Sequence, residues 1–319
     1  MTVGTQESKG GMKPYRAILI AGPTASGKSA LAVRLAQRHG GIVVNADSMQ
    51  VYSDLGILTA RPQEADLRAA PHALYGYVNG GEPYSVGRWL VDVAAVLAAC
   101  ARSGRVPVIT GGTGLYFKAL LEGLSPIPPI PAGVREHWRG KAASLGAAGL
   151  YEILATRDPD TARRLQREDT QRLTRALEVL DGTGRGLSDW QREPGIPLIA
   201  AEDALRLVVA LDRAELHRRA DARLDTMMAA GALAEVKALA AKGYTTDSPV
   251  MRALGVAPLL EALTGKVAVA AAVERTRLDT RQYIKRQQTW LRGNMISWMS
   301  VSTQLMEQIL ADNFTFTLD

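Results

Sequence analysis

Residues Gly22–Ser29 read GPTASGKS. In this G-x-x-x-x-G-K-S spacing, glycines let backbone N–H groups approach phosphate oxygens, and a lysine supplies a point charge. The last serine offers a hydroxyl to Mg²⁺. All eight residues, Gly22, Pro23, Thr24, Ala25, Ser26, Gly27, Lys28 and Ser29, belong to the expected cradle, with Mg²⁺ expected at Ser29. The loop declares a diphosphate or triphosphate ligand and leaves the reaction open. An enzyme that moves a γ-phosphate usually ends a neighbouring strand with an acid that holds the metal. Here the strand-like run Val106–Thr110 (VPVIT) leads into Gly111–Gly112–Thr113–Gly114, which offers no carboxylate. The carboxylate available is Asp47, in the stretch NADSMQVY. An Asp-Ser pair is also good capping chemistry, so Asp47 reads either as a cap for the next segment or as a group acting on a bound substrate.

Basic residues form the second constellation. In RTRLDTRQYIKRQQTWLR (Arg275–Arg292), Arg277, Arg281 and Lys285 recur every four residues, one stripe on a helix. Arg275, Arg286 and Arg292 add charge, and Tyr283 and Trp290 offer rings for stacking. A solvated helix face with two core aromatics is the plainer alternative. In ELHRRADARLDTMM, Arg219 and Arg223 lie at i, i+4 and could reach one phosphate together, unless they pair with Asp221 or Asp225. In QRLTRALEV, Arg172 and Arg175 share a polar face opposite Leu173, Leu177 and Leu180. The four histidines show no metal-ligand spacing. The one cysteine, Cys100, excludes an internal disulfide and a cysteine-based zinc site.

These groups need a scaffold. Ala17–Ala21 (AILIA) and Gly41–Asn45 (GIVVN) are apolar runs of the kind buried on both faces of a parallel sheet. Helical spacing covers Ala30–Arg38 and Tyr84–Arg102, and Arg206–Leu211 (RLVVAL) reads as another strand. Alternating strands and helices predict a doubly wound parallel sheet. Ligands then bind at the C-terminal strand ends, where the loop, Asp47 and Thr113 all fall. After Leu121 the texture changes: the proline-rich LSPIPPIP precedes a stretch with helical patterns only. The expected organisation is a first core part at 14–125, a helical insertion at 126–200, and core completion with a basic helical part at 201–300. Tails are expected at 1–13 and 301–319.

The chain has 319 residues, a net charge of +6 and a pI near 9.5, which suits a polyanionic partner. The excess is concentrated in residues 206–292, with 15 Lys+Arg against 9 Asp+Glu. No apolar run approaches the roughly 20 residues of a membrane span. A soluble cytoplasmic protein is expected, and nothing demands more than a monomer.

Taken in order, GPTASGKS, NADSMQVY, GGTGLYFKALLEGLSPIP, QRLTRALEV, ELHRRADARLDTMMAAG and RQYIKRQQTWLR resemble the bacterial tRNA dimethylallyltransferases. The resemblance runs from about Ile18 to Arg292. It implies an α/β, P-loop NTPase-like sheet with an inserted all-helical domain that grips a tRNA anticodon stem-loop. It also implies transfer of a dimethylallyl group from dimethylallyl diphosphate to N6 of the adenosine 3′ of the anticodon. Diphosphate would be the leaving group, held by the loop with Mg²⁺. Lys28, Arg219 and Arg223 would stabilise its charge, Asp47 would take the N6 proton and Thr113 would position the reactants. Ser48, Met49 and Gln50 match positions near the flipped base. Arg135, the run Gln171, Arg172, Leu173, Thr174 and Arg175, and Arg252, Lys285, Arg286, Trp290 and Arg292 match tRNA contacts.

Two departures stand out. The family's IGTAKP is ILTARP here, with Leu58 for glycine, so a near-glycine backbone position is expected to shift. A segment that often reads IGY is Leu254–Gly255–Val256. The rival readings are an adenylate isopentenyltransferase, a P-loop small-molecule kinase, and a non-catalytic RNA-binding module.

Overall fold

The structure is a computed structural model and describes residues 15–311. Residues 1–14 and 312–319, which include the whole of the expected first tail and the end of the second, lie outside the described residues. By compactness the chain divides into one unit of residues 1–121 with 198–319, and a second of Glu122–Pro197.

The first unit holds a parallel sheet of β1 (Ala17–Ala21), β2 (Ile42–Asn45), β3 (His72–Ala73), β4 (Pro107–Gly111), β5 (Ala204–Val209) and β6 (Met299–Val301). Its order is β3-β2-β4-β1-β5-β6. The AILIA run behaves as its composition dictates. Ala17, Leu19 and Ala21 join the core on one face, and Ile18 and Ile20 join the core on the other. Leu31, Ala32 and Leu35 of α1 (Lys28–Arg38) cover the second face. Trp89 and Val93 of α3 (Val86–Ser103) and Phe117 and Leu120 of α4 (Gly114–Glu122) cover the first. The short α2 (Glu64–Ala69) lies between β2 and β3.

Residues 301–311 depart from the expected C-terminal tail. Val301 ends β6 at the sheet edge, and α13 (Thr303–Ala311) buries Ile309 and Leu310 in the second core. Glu307 accepts two hydrogen bonds from Arg34 of α1, at 2.7 and 3.0 Å. Apolar residues spaced for one helix face make this segment part of the fold rather than a tail.

After β5 the chain runs through α9 (Arg213–Ala229), α10 (Ala232–Ala240), α11 (Val256–Leu263) and α12 (Val269–Asn294). The buried face of α12 carries Thr276, Ile284, Gln287 and Leu291 at helical spacing. The second unit is helical: α5 (Ala132–Arg157), α6 (Pro159–Ala162), α7 (Thr170–Thr183) and α8 (Leu187–Trp190). Helix α5 breaks at Gly146, where φ is +64°. The core of this unit is Trp138, Leu150 and Leu154 against Leu173, Ala176 and Leu177. The Trp138 indole N–H donates to Asp181, which also accepts from Arg157.

The centre of the sheet dictates the site. Strand β4 lies between β2 and β1 and ends at Gly111. A Cβ there would stand 2.0 Å from the Ala46 carbonyl oxygen, because the chain leaving β2 crosses the end of β4 at backbone distance. The Thr113 amide donates to that same carbonyl at 3.2 Å. Any side chain at this strand end, an acid included, would collide with that carbonyl unless the backbone moved. Gly111→Ala should cost about 2–3 kcal/mol by overpacking against backbone. Thermal melting should show a drop of roughly 5–10 °C, and an unchanged midpoint would contradict the close approach.

Candidate functional site

Three segments meet at the C-terminal ends of β1, β4 and β2. The loop after β1 is built for an anion. Ala25 (φ +65°) and Gly27 (φ +90°) adopt left-handed conformations, and Gly27 caps the N-terminus of α1. The Thr24 amide donates to Gln287 Oε1 at 2.9 Å. The amides of Ala25, Gly27, Lys28 and Ser29 donate to no acceptor among the described residues. Together with the helix dipole they make an anion cradle. Lys28 Nζ donates to the Pro23 carbonyl at 3.3 Å. Burial pulls its pKa down to about 8, opposed by the Asp47 carboxylate and reinforced by the Arg223 cation. Ser26 is fully buried and its hydroxyl has no partner among the described residues. Ser29 is exposed at the second position of α1.

Asp47 combines both roles open to it from sequence. Its Oδ1 accepts the Met49 amide at 2.9 Å, a local capping bond. Its Oδ2 has no hydrogen-bond partner among the described residues, and a Cβ on Gly112 would lie 3.5 Å from it. Buried Asn45 fixes this geometry. Its Oδ1 accepts the Asp47 amide at 2.8 Å, and its Nδ2 donates to the Asp47 carbonyl at 2.9 Å and the Leu74 carbonyl at 3.0 Å. The Ser48 amide donates to Thr113 Oγ1 at 3.0 Å, which ties the turn after β4 to the Asp47 segment.

The cations divide into committed and available. Arg219 and Arg218 both bond Glu215 and hold that carboxyl down to about 2. Arg219 still lies beside the loop, since a Cβ on Gly27 would sit 3.8 Å from its Nη1. Arg223 makes no ion pair among the described residues, and it donates to the Thr24 hydroxyl. Burial lowers its pKa, opposed by Asp47. Asp221 and Asp225 instead bind Arg281 and Arg277 of α12. The supposed stripe Arg277–Arg281–Lys285 is therefore no continuous basic surface. Its first two members hold α12 to α9, and the Arg277 side chain is only 15% exposed. Lys285, Arg286 and Arg292 are exposed and make no ion pair among the described residues. Lys285, Arg286 and Trp290 line one surface depression. Trp290 packs on the start of α4, where Gly114 leaves room for its ring.

A cavity of about 290 Å³ opens between these parts. Its polar side is Thr24, Asp47, Ser48 and Arg223. Its apolar side is Met49, Leu58, Leu224, Met227 and Leu254, with Tyr283, Arg252 and Arg286 also lining it. The Tyr283 phenol is pushed up by burial and by the Asp47 charge, so it stays protonated. Leu58, which stands where the family has glycine, does not adopt a left-handed conformation. The left-handed residue nearby is Ala60, and the amides of Gly56, Ile57 and Leu58 donate to Glu235 of α10 at 2.6, 2.8 and 2.9 Å. Gln50 donates to the Thr59 and Ala60 carbonyls, so its amide group holds this same turn. Val256 is fully buried.

In the second unit, Arg135, Gln171 and Arg172 are exposed. Arg172 pairs with Asp169, and Arg175 with Glu178. Leu173 is 0% exposed and Thr174 bonds the Thr170 carbonyl. This corrects the expectation of RNA contact for these two side chains, because both face the core of their own unit.

Sequence reading missed Asn45, Gln287 and Glu235. A polar residue closing an apolar strand was the available sign for Asn45, and a glutamine on the buried stripe of α12 was the sign for Gln287. Glu235 carried none. Among the described residues no group of three or more His, Cys, Asp or Glu could hold a metal. No helix there is long and apolar enough to cross a membrane.

A family profile described as IPP transferase matches residues 50–294, and one described as isopentenyl transferase matches residues 15–74. The chain is 50% identical over 297 residues to a protein of Azorhizobium caulinodans named tRNA dimethylallyltransferase, covering 93% of this chain and 95% of that one. A protein of the same name from Agrobacterium fabrum is 49% identical, covering 88% and 94%. A crystal structure of a tRNA isopentenylpyrophosphate transferase from Staphylococcus epidermidis superposes with a TM-score of 0.65 at 28% identity, covering 94% and 97%. A structure of a eukaryotic dimethylallyltransferase acting on tRNA gives 0.78 at 29% identity, covering 90% and 74%. With the profile spanning well over half of its length, this chain belongs to the IPP transferase family, among relatives named tRNA dimethylallyltransferases.

Proposed function

We propose that the chain transfers a dimethylallyl group from dimethylallyl diphosphate to N6 of the adenosine immediately 3′ of the anticodon in tRNA. One observation carries the reading. Asp47, Thr24 of the phosphate loop and Arg223 line one cavity together with the apolar side chains of Met49, Leu58, Leu224, Met227 and Leu254. A γ-phosphoryl transfer has no use for that apolar lining. A five-carbon group buried there gains about 4 kcal/mol at roughly 0.8 kcal/mol per carbon.

The chemistry follows from placement. The loop amides, Lys28 and Arg223 bind the diphosphate of the donor. The adenine leaves its stack to enter the cavity. N6 attacks the first carbon of the allyl group, an N–C bond forms, and the C–O bond to diphosphate breaks with its electron pair. The proton lost from N6 passes to Asp47 Oδ2. Charge developing on the departing oxygen meets donors already in place, the situation in which electrostatic stabilisation is strongest.

The site fits Mg²⁺. The Ser29 hydroxyl stands exposed at the helix start beside unpartnered amides. An ion that keeps several waters needs few protein ligands when phosphate oxygens supply the rest. Ser29 would hold it, and when bound the ion neutralises part of the diphosphate charge. The exposed Lys285, Arg286 and Arg292, and in the second unit Arg135 and Gln171, make no ion pair among the described residues and are the side chains best placed to meet RNA phosphates, while exposed Arg172 would first have to leave Asp169.

The direct test is transfer of labelled dimethylallyl to an anticodon stem-loop with adenosine at that position, the same loop with guanosine, and free AMP. Label in the first alone is expected. Label in AMP would make it an adenylate enzyme, and ATP hydrolysis without label would return it to the kinases. Asp47→Asn keeps the Met49 bond and removes the base, so single-turnover transfer should fall by roughly 10²–10⁴-fold with stem-loop affinity little changed. The basic surface makes a sharper demand. Lys285→Ala or Arg286→Ala should weaken stem-loop binding and reduce the log–log salt slope by about 0.7–0.9 each. Arg277→Ala should leave the slope unchanged and lower the melting temperature instead. Finally, the anionic donor binds the charged form of Lys28, whose pKa is about 8. Donor kcat/KM should hold steady below that pH and fall about tenfold per unit above it. A flat profile to pH 10 would refute the role.

A further inference from the structure

Gln287 is 6% exposed, in the middle of α12. Its Oε1 accepts the Thr24 amide at 2.9 Å, and its Nε2 donates to the Gly112 carbonyl at 3.1 Å. One partner belongs to the phosphate loop. The other belongs to the turn that carries Thr113 and adjoins Asp47, since a Cβ on Gly112 would stand 2.3 Å from Gln287 Nε2 and 3.5 Å from Asp47 Oδ2.

We infer that Gln287 is a positioning residue for the transfer, a bridge that fixes the distance between the diphosphate cradle and the carboxylate that receives the proton. The inference rests on the function proposed above. Packing alone does not call for glutamine here. A polar group on a buried helix stripe costs free energy unless both ends of it are bonded. Leucine or methionine would fill the same space without that cost. Both ends are bonded, and to the two walls that must move together. The bridge also selects the anion's donors, because Thr24 is engaged and the amides of Ala25, Gly27, Lys28 and Ser29 remain. Other links support the same patch, including Thr113 to Ser48 and Arg223 to Thr24. Among the hydrogen bonds of the described residues, only Gln287 joins the loop to the β4 turn.

The test compares the full-length chain with Gln287→Met, which keeps the volume and removes both bonds, and with Gln287→Glu. Single-turnover transfer, KM for the stem-loop, binding of inorganic diphosphate by calorimetry, and melting temperature are measured for each. Gln287→Met should transfer about 10–100-fold more slowly, as expected for a misplacement of about 1 Å. Its diphosphate affinity should fall roughly tenfold for the lost hydrogen bonds, with stem-loop KM within about twofold. Gln287→Glu should show a deficit relative to wild type at pH 8 that narrows toward pH 6, as the buried acid regains a proton and can again donate to Gly112. A methionine variant with wild-type transfer and diphosphate affinity would overturn the bridge. So would a pH-independent deficit in the glutamate variant. If the wild-type chain transfers nothing to the stem-loop, the functional reading falls instead, and the diphosphate affinities still decide whether the bridge shapes the cradle.

Discussion

The site depends on a close approach of two backbones. Where Ala46 leaves β2, its carbonyl occupies the space that a Cβ on Gly111 would need. That contact brings the Asp47 segment over the end of β4, and β4 is the strand beside β1 and its phosphate loop. Thr113 then bonds both Ala46 and Ser48, and Asn45 clamps the Asp47 backbone from beneath. A carboxylate from one strand end and an anion cradle from another thus share one cavity without either standing on the strand between them. Gly111, at the end of the middle strand, is the condition for this arrangement.

Charge is distributed by the same economy of placement. The arginines of α9 and α12 look interchangeable in sequence, yet their surroundings separate them. Arg277 and Arg281 are taken by Asp225 and Asp221, and Arg219 by Glu215. Arg223 faces the loop with no carboxylate bonded to it among the described residues, and Lys285 and Arg286 are exposed. A surface ion pair contributes little to stability, but the half-buried pairs between α9 and α12 fix the register of the two helices. That register carries Arg223 to the loop and Gln287 to its two partners.

Much of this was legible in the sequence. AILIA, GIVVN and VPVIT announce strands buried on both faces, and the loop, Asp47 and Thr113 fall at their ends by the geometry of any doubly wound sheet. The edge strands were not legible. His72–Ala73 has two residues, and Met299–Val301 has two exposed positions of three, so neither leaves an apolar run. Which cation meets which acid was equally hidden, because i, i+4 spacing describes one helix while Asp221 and Asp225 found partners on another. Glu235, which accepts three amides of the turn bearing Leu58, lies 177 residues away in sequence. Nothing local in the sequence marks it. Leu58 shows the converse. Its departure from the family's glycine is visible in sequence, and in the structure its side chain lines the cavity.

The electrostatics explain why such a site holds together before any substrate arrives. Burial depresses both Lys28 and Arg223, so the protein holds two cations in a setting that disfavours their charge. Asp47 is the group that opposes the depression for both. In the reaction proposed above, a diphosphate entering the cradle would supply more negative charge than Asp47 alone and relieve that strain. Anion binding and leaving-group stabilisation would then be one coupled property of Lys28, Arg223 and Asp47, set by how deeply the fold encloses the two cations.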